Sequence, residues 1–187
     1  MLLKTKLINI YQLIDHEIAA AQMGQKASII LKLNSIQDPR MIARLYQASN
    51  AGVKIKMIVR GVCSLVPGIK GFSENIEVIS IVDRFLEHTR IYKFHHGGRD
   101  KIYLSSADWM TRNLYYRIEC AFPLYDQAVK DEINDFLDIQ LKDNVKARIV
   151  DAGHNNHYKM GEKGKQFRSQ KMLYQYYQNK LLRKRNQ

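Results

Sequence analysis

The chain has 187 residues, of which 45% are hydrophobic and 26% charged, a composition typical of one globular domain with a buried core. This composition excludes a disordered tail protein, and no apolar run approaches the ~18 residues that a membrane span requires. Thirty Lys and Arg residues against 18 acids give a formal net charge of +12, which favours a polyanionic partner: nucleic acid, a phosphorylated molecule, an inorganic phosphate chain or an anionic membrane surface.

The first third of the sequence predicts alternating helices and strands. Apolar residues recur at helical spacing from Leu7 to Ala21, and Gly24 is a fitting helix end. A buried strand over 27–33 follows, then a helix that Asp38-Pro39 begins and Gly52 ends, then a strand over 53–60. Strand, helix and strand with short connections are typical of a parallel βαβ unit.

The rest of the sequence predicts a mixed sheet. Residues 61–71 form an irregular segment, and the remaining predicted strands cover residues 76–81, 90–94, 101–105, 117–122 (ended by Pro123) and 145–150. The second and third of these strands flank a glycine-bearing turn and predict a hairpin. Helices are predicted from Asp126 to Leu141 and over 167–185. The fold class is therefore α/β, a mixed sheet flanked by helices, with a basic C-terminal helix.

The positive charge is concentrated at the C-terminus. Residues 154–187 hold nine basic residues and one acid, which leaves 21 basic and 17 acidic residues, a net charge of +4, in residues 1–153. We predict one domain over 1–153 and a basic helical tail over 154–187. A solvated basic helix is the ordinary interpretation of such a tail, so the functional charges are sought in the domain.

Two positions stand out as candidate phosphate ligands. Arg60 ends an apolar strand, where ligands of open α/β sheets bind, and the alternative is a buried ion pair with Asp83 or Glu87. His88 precedes the hairpin, and Arg90, two residues later, shares its strand face. An imidazole flanked by cations suits a phosphoryl group as ligand, proton donor or nucleophile, although a lone His is more often structural.

A polar segment after the hairpin offers further candidates. Residues 105–113 leave a strand, and the hydroxyls of Ser105 and Ser106, the backbone N–H groups and Arg112 can hold phosphate oxygens. A capped turn, with Ser and Asp108 making local hydrogen bonds and Trp109 packed inside, is an equally supported interpretation. Cys63 and Cys120 lie in apolar surroundings and are predicted to be small buried residues. His95 and His96 beside the hairpin turn are predicted to be exposed, and no metal site is assigned.

Several segments together resemble the C-terminal part of bacterial polyphosphate kinase. They are residues 38–40, 59–65, 79–88 and 103–113, and the resemblance runs from Ile14 to Val150. The family is similar to two phospholipase D-like halves, each of which contributes a histidine to one site. The phosphate-accepting histidine belongs to a His-x-Lys segment of the first half. Here that pattern occurs only at 157–159, in the tail, so the chain resembles the second half alone.

The resemblance implies a phosphotransferase that reversibly moves the γ-phosphate of ATP onto inorganic polyphosphate through a phosphohistidine of the other half. By position, His88 and Arg60 match residues that bind the phosphates of ATP or ADP, and Arg90 and Arg112 are further phosphate-binding candidates. The resemblance also implies Mg²⁺ with ATP, partner domains of the same enzyme and a homo-oligomer. A cytoplasmic location is expected, with membrane association of the full-length enzyme left open.

Two other functions compete with this interpretation. A phospholipase D-like phosphodiesterase is one, although Arg90 stands where that superfamily's His-x-Lys pattern has Lys. A single-stranded nucleic-acid-binding module using the basic, tyrosine-bearing segment 174–185 is the other, but no established RNA- or DNA-binding signature supports it.

Overall fold

A computed structural model describes residues 3–161 and 165–185 of the chain. Its helices are α1 (Leu3–Gln22), α2 (Pro39–Asn50), α3 (Gln127–Leu141) and α4 (Ser169–Arg185). Its strands are β1 (Ser28–Leu33), β2 (Lys54–Val59), β3 (Ile76–Ile81), β4 (Arg90–Phe94), β5 (Lys101–Ser105), β6 (Ala121–Pro123) and β7 (Ala147–Val150). A short 3₁₀ turn (His96–Gly98) and a π-helical turn (Arg112–Tyr116) complete the description.

The seven strands form one mixed sheet in the order β6-β5-β4-β1-β2-β3-β7. Strands β1, β2 and β3 are parallel, and β4 and β7 pair antiparallel on either side of them. Strand β1 is central, and its Lys32 lies opposite Ile91 of β4. The carboxyl ends of β1 and β2 therefore meet the beginning of β4 at one edge of the sheet, which we call the carboxyl edge.

Apolar side chains cover both faces of the sheet. One face packs against α1 and α2 through residues such as Ile14, Leu45 and Trp109, which are fully buried. The other face packs against α3 through a smaller cluster that includes Ile58, Ile91 and Leu137. Successive side chains of a strand point to opposite faces of the sheet. Because both faces are covered, the strand sequences are nearly continuous apolar runs.

The predicted fold class and βαβ unit are confirmed, and so are the helix boundaries set by local chemistry. The Asp38 carboxylate accepts the N–H groups of Arg40 and Met41, and that of Asp126 accepts the N–H of Val129. Gly24 follows α1 with a φ of 71°, a left-handed conformation that glycine adopts without strain. The side chain of Leu7 lies outside the described part of the chain, as do residues 162–164 and 186–187 of the predicted tail.

Two predicted strands are shorter in the structure. The strand expected over 117–122 is reduced to β6, which ends at Pro123, and Pro123 itself pairs with Tyr103. An edge strand tolerates proline because one side of it needs no hydrogen bonds. The strand expected over 145–150 begins only at Ala147, because the amides of Val145 and Lys146 donate to the Asp143 carboxylate.

Residues beyond 153 are joined to the sheet and to α3. The backbone N–H of Ile149 donates to the His157 carbonyl, and the N–H of Lys159 donates to the Ala147 carbonyl, so residues 157–159 cover the outer edge of β7. Helix α4 packs on α3. The boundary at residue 153 stays a prediction. No helix in the described ranges is long and apolar enough to cross a membrane.

Candidate functional site

Three of the four predicted phosphate-binding residues lie at the carboxyl edge of the sheet. Arg60 directly follows β2, and its backbone N–H donates to the Leu33 carbonyl at the end of β1. Arg90 begins β4 on the other side of β1, and His88 stands two residues before it. Because β2 and β4 both pair with β1, Arg60 and His88, almost thirty positions apart in the sequence, both lie at the carboxyl edge.

Arg90 connects His88 to a buried carboxylate. Its guanidinium nitrogens lie 3.2 and 3.4 Å from the two ring nitrogens of His88, and one of them donates to the Asp108 carboxylate at 2.8 Å. The other carboxylate oxygen of Asp108 accepts the backbone N–H groups of Asn34 and Ser35 at 2.7 and 3.0 Å. Asp108 therefore ties Arg90 to the end of β1 and holds the guanidinium against the His88 ring.

A second buried ion pair lies on the α3 side of the same edge. Lys32, only 4% exposed, donates to Glu87 at 2.9 Å, and Glu87 also accepts from Gln140 and Gln170. Burial lowers the pKa of Lys32 and the nearby Arg60 charge lowers it further, while Glu87 opposes both. Burial alone would raise the pKa of Glu87, but the charge and hydrogen bond of Lys32 lower it overall.

Arg60 has no acidic partner among the described residues. Asp83 pairs with Arg168 at 2.5 Å and Glu87 pairs with Lys32, so the ion pair considered for Arg60 does not form. Within the described residues its half-buried guanidinium makes no ion pair or side-chain hydrogen bond. An unpaired guanidinium beside a second cation, Lys32, attracts anions.

Arg112 and the serines of the polar segment are not brought into this cluster. Arg112 begins the π-helical turn and is exposed, and no side-chain hydrogen bond or ion pair of it is present within residues 3–161 and 165–185. Ser105 and Ser106 bond to the Cys120 carbonyl, and Trp109 is fully buried. The segment thus has the contacts of a capped turn.

Two predictions about histidines and cysteines are wrong. His95 and His96 are half-buried, because the turn folds back on α1, where the rings of His96 and His16 lie 4.0 Å apart. Cys120 is exposed beside the edge strand β6, and Cys63 is half-buried.

The sequence interpretation missed the buried partners of the site. Lys32 was counted as part of an apolar strand, although a single lysine within five apolar residues is a signal of a buried pair. Asp108 was weighed only as a member of a turn. Its partners Asn34 and Ser35 lie more than 70 positions away, a separation that no local pattern reveals.

Acid should destabilise the fold through these carboxylates. Burial would raise the pKa of Asp108, but the Arg90 hydrogen bond and the amides of Ser35 and Asn34 lower it overall, and the pKa of Asp143 is lowered in the same way by Ser169 and backbone amides. A carboxyl whose folded pKa lies below its unfolded value contributes stability above the unfolded pKa, and this is lost as pH falls toward the folded pKa.

We therefore expect the free energy of unfolding, measured by urea titration, to fall steadily from about pH 5 to pH 3. Asp108→Asn should be less stable at pH 6 and should show a shallower decline. A free energy that is level or rises toward pH 3 would contradict this assignment.

Comparison with solved structures defines the class of fold. The nuclease Nuc of Salmonella typhimurium, a phospholipase D family member, superposes with a TM-score of 0.51 at 12% identity over 73% of this chain and 89% of that one. The mixed sheet with helices on both faces is thus a phospholipase D-like half domain, as predicted.

The family follows from closer matches, and the chain belongs to the polyphosphate kinase C-terminal domain family. The model described as "Polyphosphate kinase C-terminal domain 2" matches residues 3–170, beyond both ends of the resemblance seen in the sequence. Polyphosphate kinase of Vibrio parahaemolyticus is 52% identical over 170 residues, and that of Escherichia coli K12 is 49% identical over 167. These cover 91% and 89% of this chain but 24% of each relative.

A solved polyphosphate kinase has the same fold. The crystal structure of the enzyme from Porphyromonas gingivalis superposes with a TM-score of 0.89 at 47% identity, covering 92% of this chain and 26% of that one. The chain thus spans about a quarter of the length of the polyphosphate kinases it matches.

Proposed function

We propose that this chain forms the nucleotide-facing half of a polyphosphate kinase site. In the whole enzyme, the γ-phosphate of ATP passes to a histidine of the other phospholipase D-like half and then to the end of a polyphosphate chain, and the reaction is reversible. Here His88 faces the transferred phosphate and orients it or handles a proton, and Arg60 neutralises phosphate charge. Charge neutralisation is the dominant requirement in phosphoryl transfer.

The charge balance of the carboxyl edge is the observation that carries this proposal. Lys32 is matched by Glu87 and Arg90 by Asp108, whereas Arg60 makes no ion pair among the described residues and the imidazole of His88 is exposed. An arginine presents two parallel N–H groups to a phosphate, so Arg60 can bind two oxygens at once. Membership of the polyphosphate kinase C-terminal domain family supports ATP as the phosphate donor and polyphosphate as the acceptor.

Arg90 and Arg112 have weaker roles in the proposal. Arg90 already donates to Asp108 and to the His88 carbonyl. A phosphate contact of Arg90 would come in addition to these bonds and to its contact with the His88 ring. Arg112 is exposed and reaches phosphate only if the substrate extends past the polar segment. Mg²⁺ would accompany ATP, with ligands outside this chain.

The chain alone should not synthesise polyphosphate from ATP. The only His-x-Lys sequence, at 157–159, lies at the outer edge of β7 and not at the carboxyl edge, so no covalent intermediate can form on it there. The assay is polyphosphate formation from labelled ATP and magnesium by the purified chain, with a full-length polyphosphate kinase as positive control. Turnover comparable to that control would refute the two-half model.

Arg60→Ala should chiefly weaken nucleotide binding. A charge-assisted hydrogen bond contributes about 1.5–3 kcal/mol, so the Kd of ATP in a full-length enzyme carrying this segment should rise roughly tenfold to a hundredfold. Arg60→Lys should restore only part of the affinity, because a point charge cannot reproduce a two-pronged contact.

The control for this experiment is Arg117→Ala, which removes an exposed arginine and should leave the Kd unchanged. The melting temperature should hardly change in either variant, since Arg60 lacks an ion pair. Loss of folding with unchanged ATP affinity in the folded fraction would show that Arg60 is structural.

A further inference from the structure

An electropositive cavity lies at the edge of the sheet opposite the carboxyl edge. Its volume is about 560 Å³, and it lies between the turn that joins β4 to β5 and the first half of α3. The five residues of β4 separate it from the candidate site, since Arg90 begins the strand and the turn follows Phe94. At ~3.3 Å per residue this is a distance of roughly 16 Å, too far for one phosphate group to bridge.

Three cations of this cavity have no acidic partner in the described part of the chain. Arg99, Lys101 and Lys130 line it, and none of their side chains makes an ion pair or hydrogen bond there. The acid in the wall, Asp100, is already paired with Lys93 at 2.9 Å. Three like charges around one concavity repel each other, and a bound anion would relieve that repulsion.

The wall of the cavity is rigid and supplies a neutral donor as well. The amide oxygen of Asn134 accepts from Lys93 at 2.6 Å, which leaves the amide nitrogen as the group available to donate. The turn is held by the buried Glu17, whose carboxylate accepts the His96 N–H at 2.6 Å, and by the His95 N–H, which donates to Ser28. A pre-formed site loses little conformational entropy when a ligand binds.

The electrostatic environment of His96 agrees with a positive potential in this region. Burial lowers the pKa of its imidazole, and the charges of His16, Lys101 and Arg99 lower it further. These groups disfavour additional positive charge on the turn and favour a negative ligand near it.

We infer that this cavity binds a linear triphosphate group, inorganic or carried by a nucleotide, at a site separate from Arg60 and His88. Three cations and an amide donor match an anion with several charged oxygens spread over three phosphorus atoms. The volume lies within the roughly 300–1,000 Å³ of ordinary small-molecule sites. The inference does not depend on the proposed function, because the cavity residues are different from those of the candidate site and lie at the opposite edge of the sheet.

Isothermal titration of the 187-residue chain with inorganic tripolyphosphate tests this inference. The variant R99Q/K101Q/K130Q should bind at least tenfold more weakly than the wild type at low salt. The matched control K70Q/K165Q/R183Q removes two lysines and one arginine from exposed positions elsewhere, so it lowers the net charge equally. The variant R60Q/H88N should retain the cavity's binding, and a parallel titration with ATP shows whether a nucleotide-borne triphosphate enters too.

Three results would overturn the inference. One is that the cavity variant binds tripolyphosphate no more weakly than the control variant does, because the lower net charge alone would then explain any decrease in affinity. Another is binding that R60Q/H88N abolishes, which would place the anion at the carboxyl edge. The third is wild-type chain that binds neither tripolyphosphate nor ATP. Circular dichroism melting should show the cavity variant folded, since Arg99, Lys101 and Lys130 make no ion pair or side-chain hydrogen bond within the described residues.

Discussion

Replacing His88 by alanine in a full-length polyphosphate kinase that carries this segment should reduce turnover at least about 100-fold, the usual contribution of an acid–base or phosphate-orienting group. His88 is exposed, and the described polar contacts of its ring are with the Arg90 guanidinium. Its removal therefore creates no cavity and leaves no buried group unpaired. The melting temperature should stay within about 2 °C of the wild type, since surface changes of this kind cost at most ~0.5 kcal/mol.

The experiment measures initial rates of polyphosphate synthesis together with thermal melting of the same preparations. His154→Ala is the matched control, because His154 is an exposed histidine of the C-terminal segment, and it should leave both quantities unchanged. Near-normal turnover in His88→Ala would remove His88 from the proposed site. A large loss of melting temperature would instead identify it as a structural residue.

Replacing Asp143 by alanine should cause the largest loss of stability. Asp143 is fully buried, and its carboxylate accepts four backbone N–H groups at 2.7–3.0 Å, those of Val145, Lys146, Ala147 and Ser169. Alanine would leave these donors unpaired at the junction of α3, β7 and α4, and those of Ala147 and Ser169 are buried there. Unsatisfied buried groups cost about 1–3 kcal/mol each, and because they share one site we expect about 3 kcal/mol in total.

In a chain of this size that loss corresponds to a decrease of about 6–12 °C in melting temperature. Urea unfolding of the isolated chain would measure the free energy directly. Asp138→Ala, at an exposed position of α3, should change stability by no more than ~0.5 kcal/mol. Equal effects of the two substitutions would show that the carboxylate of Asp143 does not hold this junction together.

Local chemistry explains which parts of the fold were predictable. Asp38-Pro39 and Asp126 begin their helices because an N-cap carboxylate needs only amides two or three residues away. The apolar runs of β1, β2 and β3 were equally visible, since burial on both faces leaves few polar positions. Strand β6 was misjudged because its extent depends on pairing with β5, a partner that the segment itself does not reveal.

The candidate site was predictable only in part. The sequence singles out Arg60 because a cation at the end of an apolar strand is costly without a partner, and the roles proposed for Arg60 and His88 depend on the family resemblance. The pairs Lys32–Glu87 and Arg90–Asp108 join residues 55 and 18 positions apart. Such pairs are determined by the order of strands in the sheet, so only the structure shows that they compensate Lys32 and Arg90 and leave Arg60 without an ion pair among the described residues.

Because residues 157–159 cover the outer edge of β7, truncation of the chain before them would expose that edge. A protein truncated at residue 153 would keep every strand of the sheet, yet the N–H of Ile149 and the carbonyl of Ala147 would lose their partners. An uncovered edge strand is a template for pairing with another chain. The segment that follows β7 therefore prevents the edge of this strand from pairing with another chain and so opposes aggregation, in addition to any role of its charge.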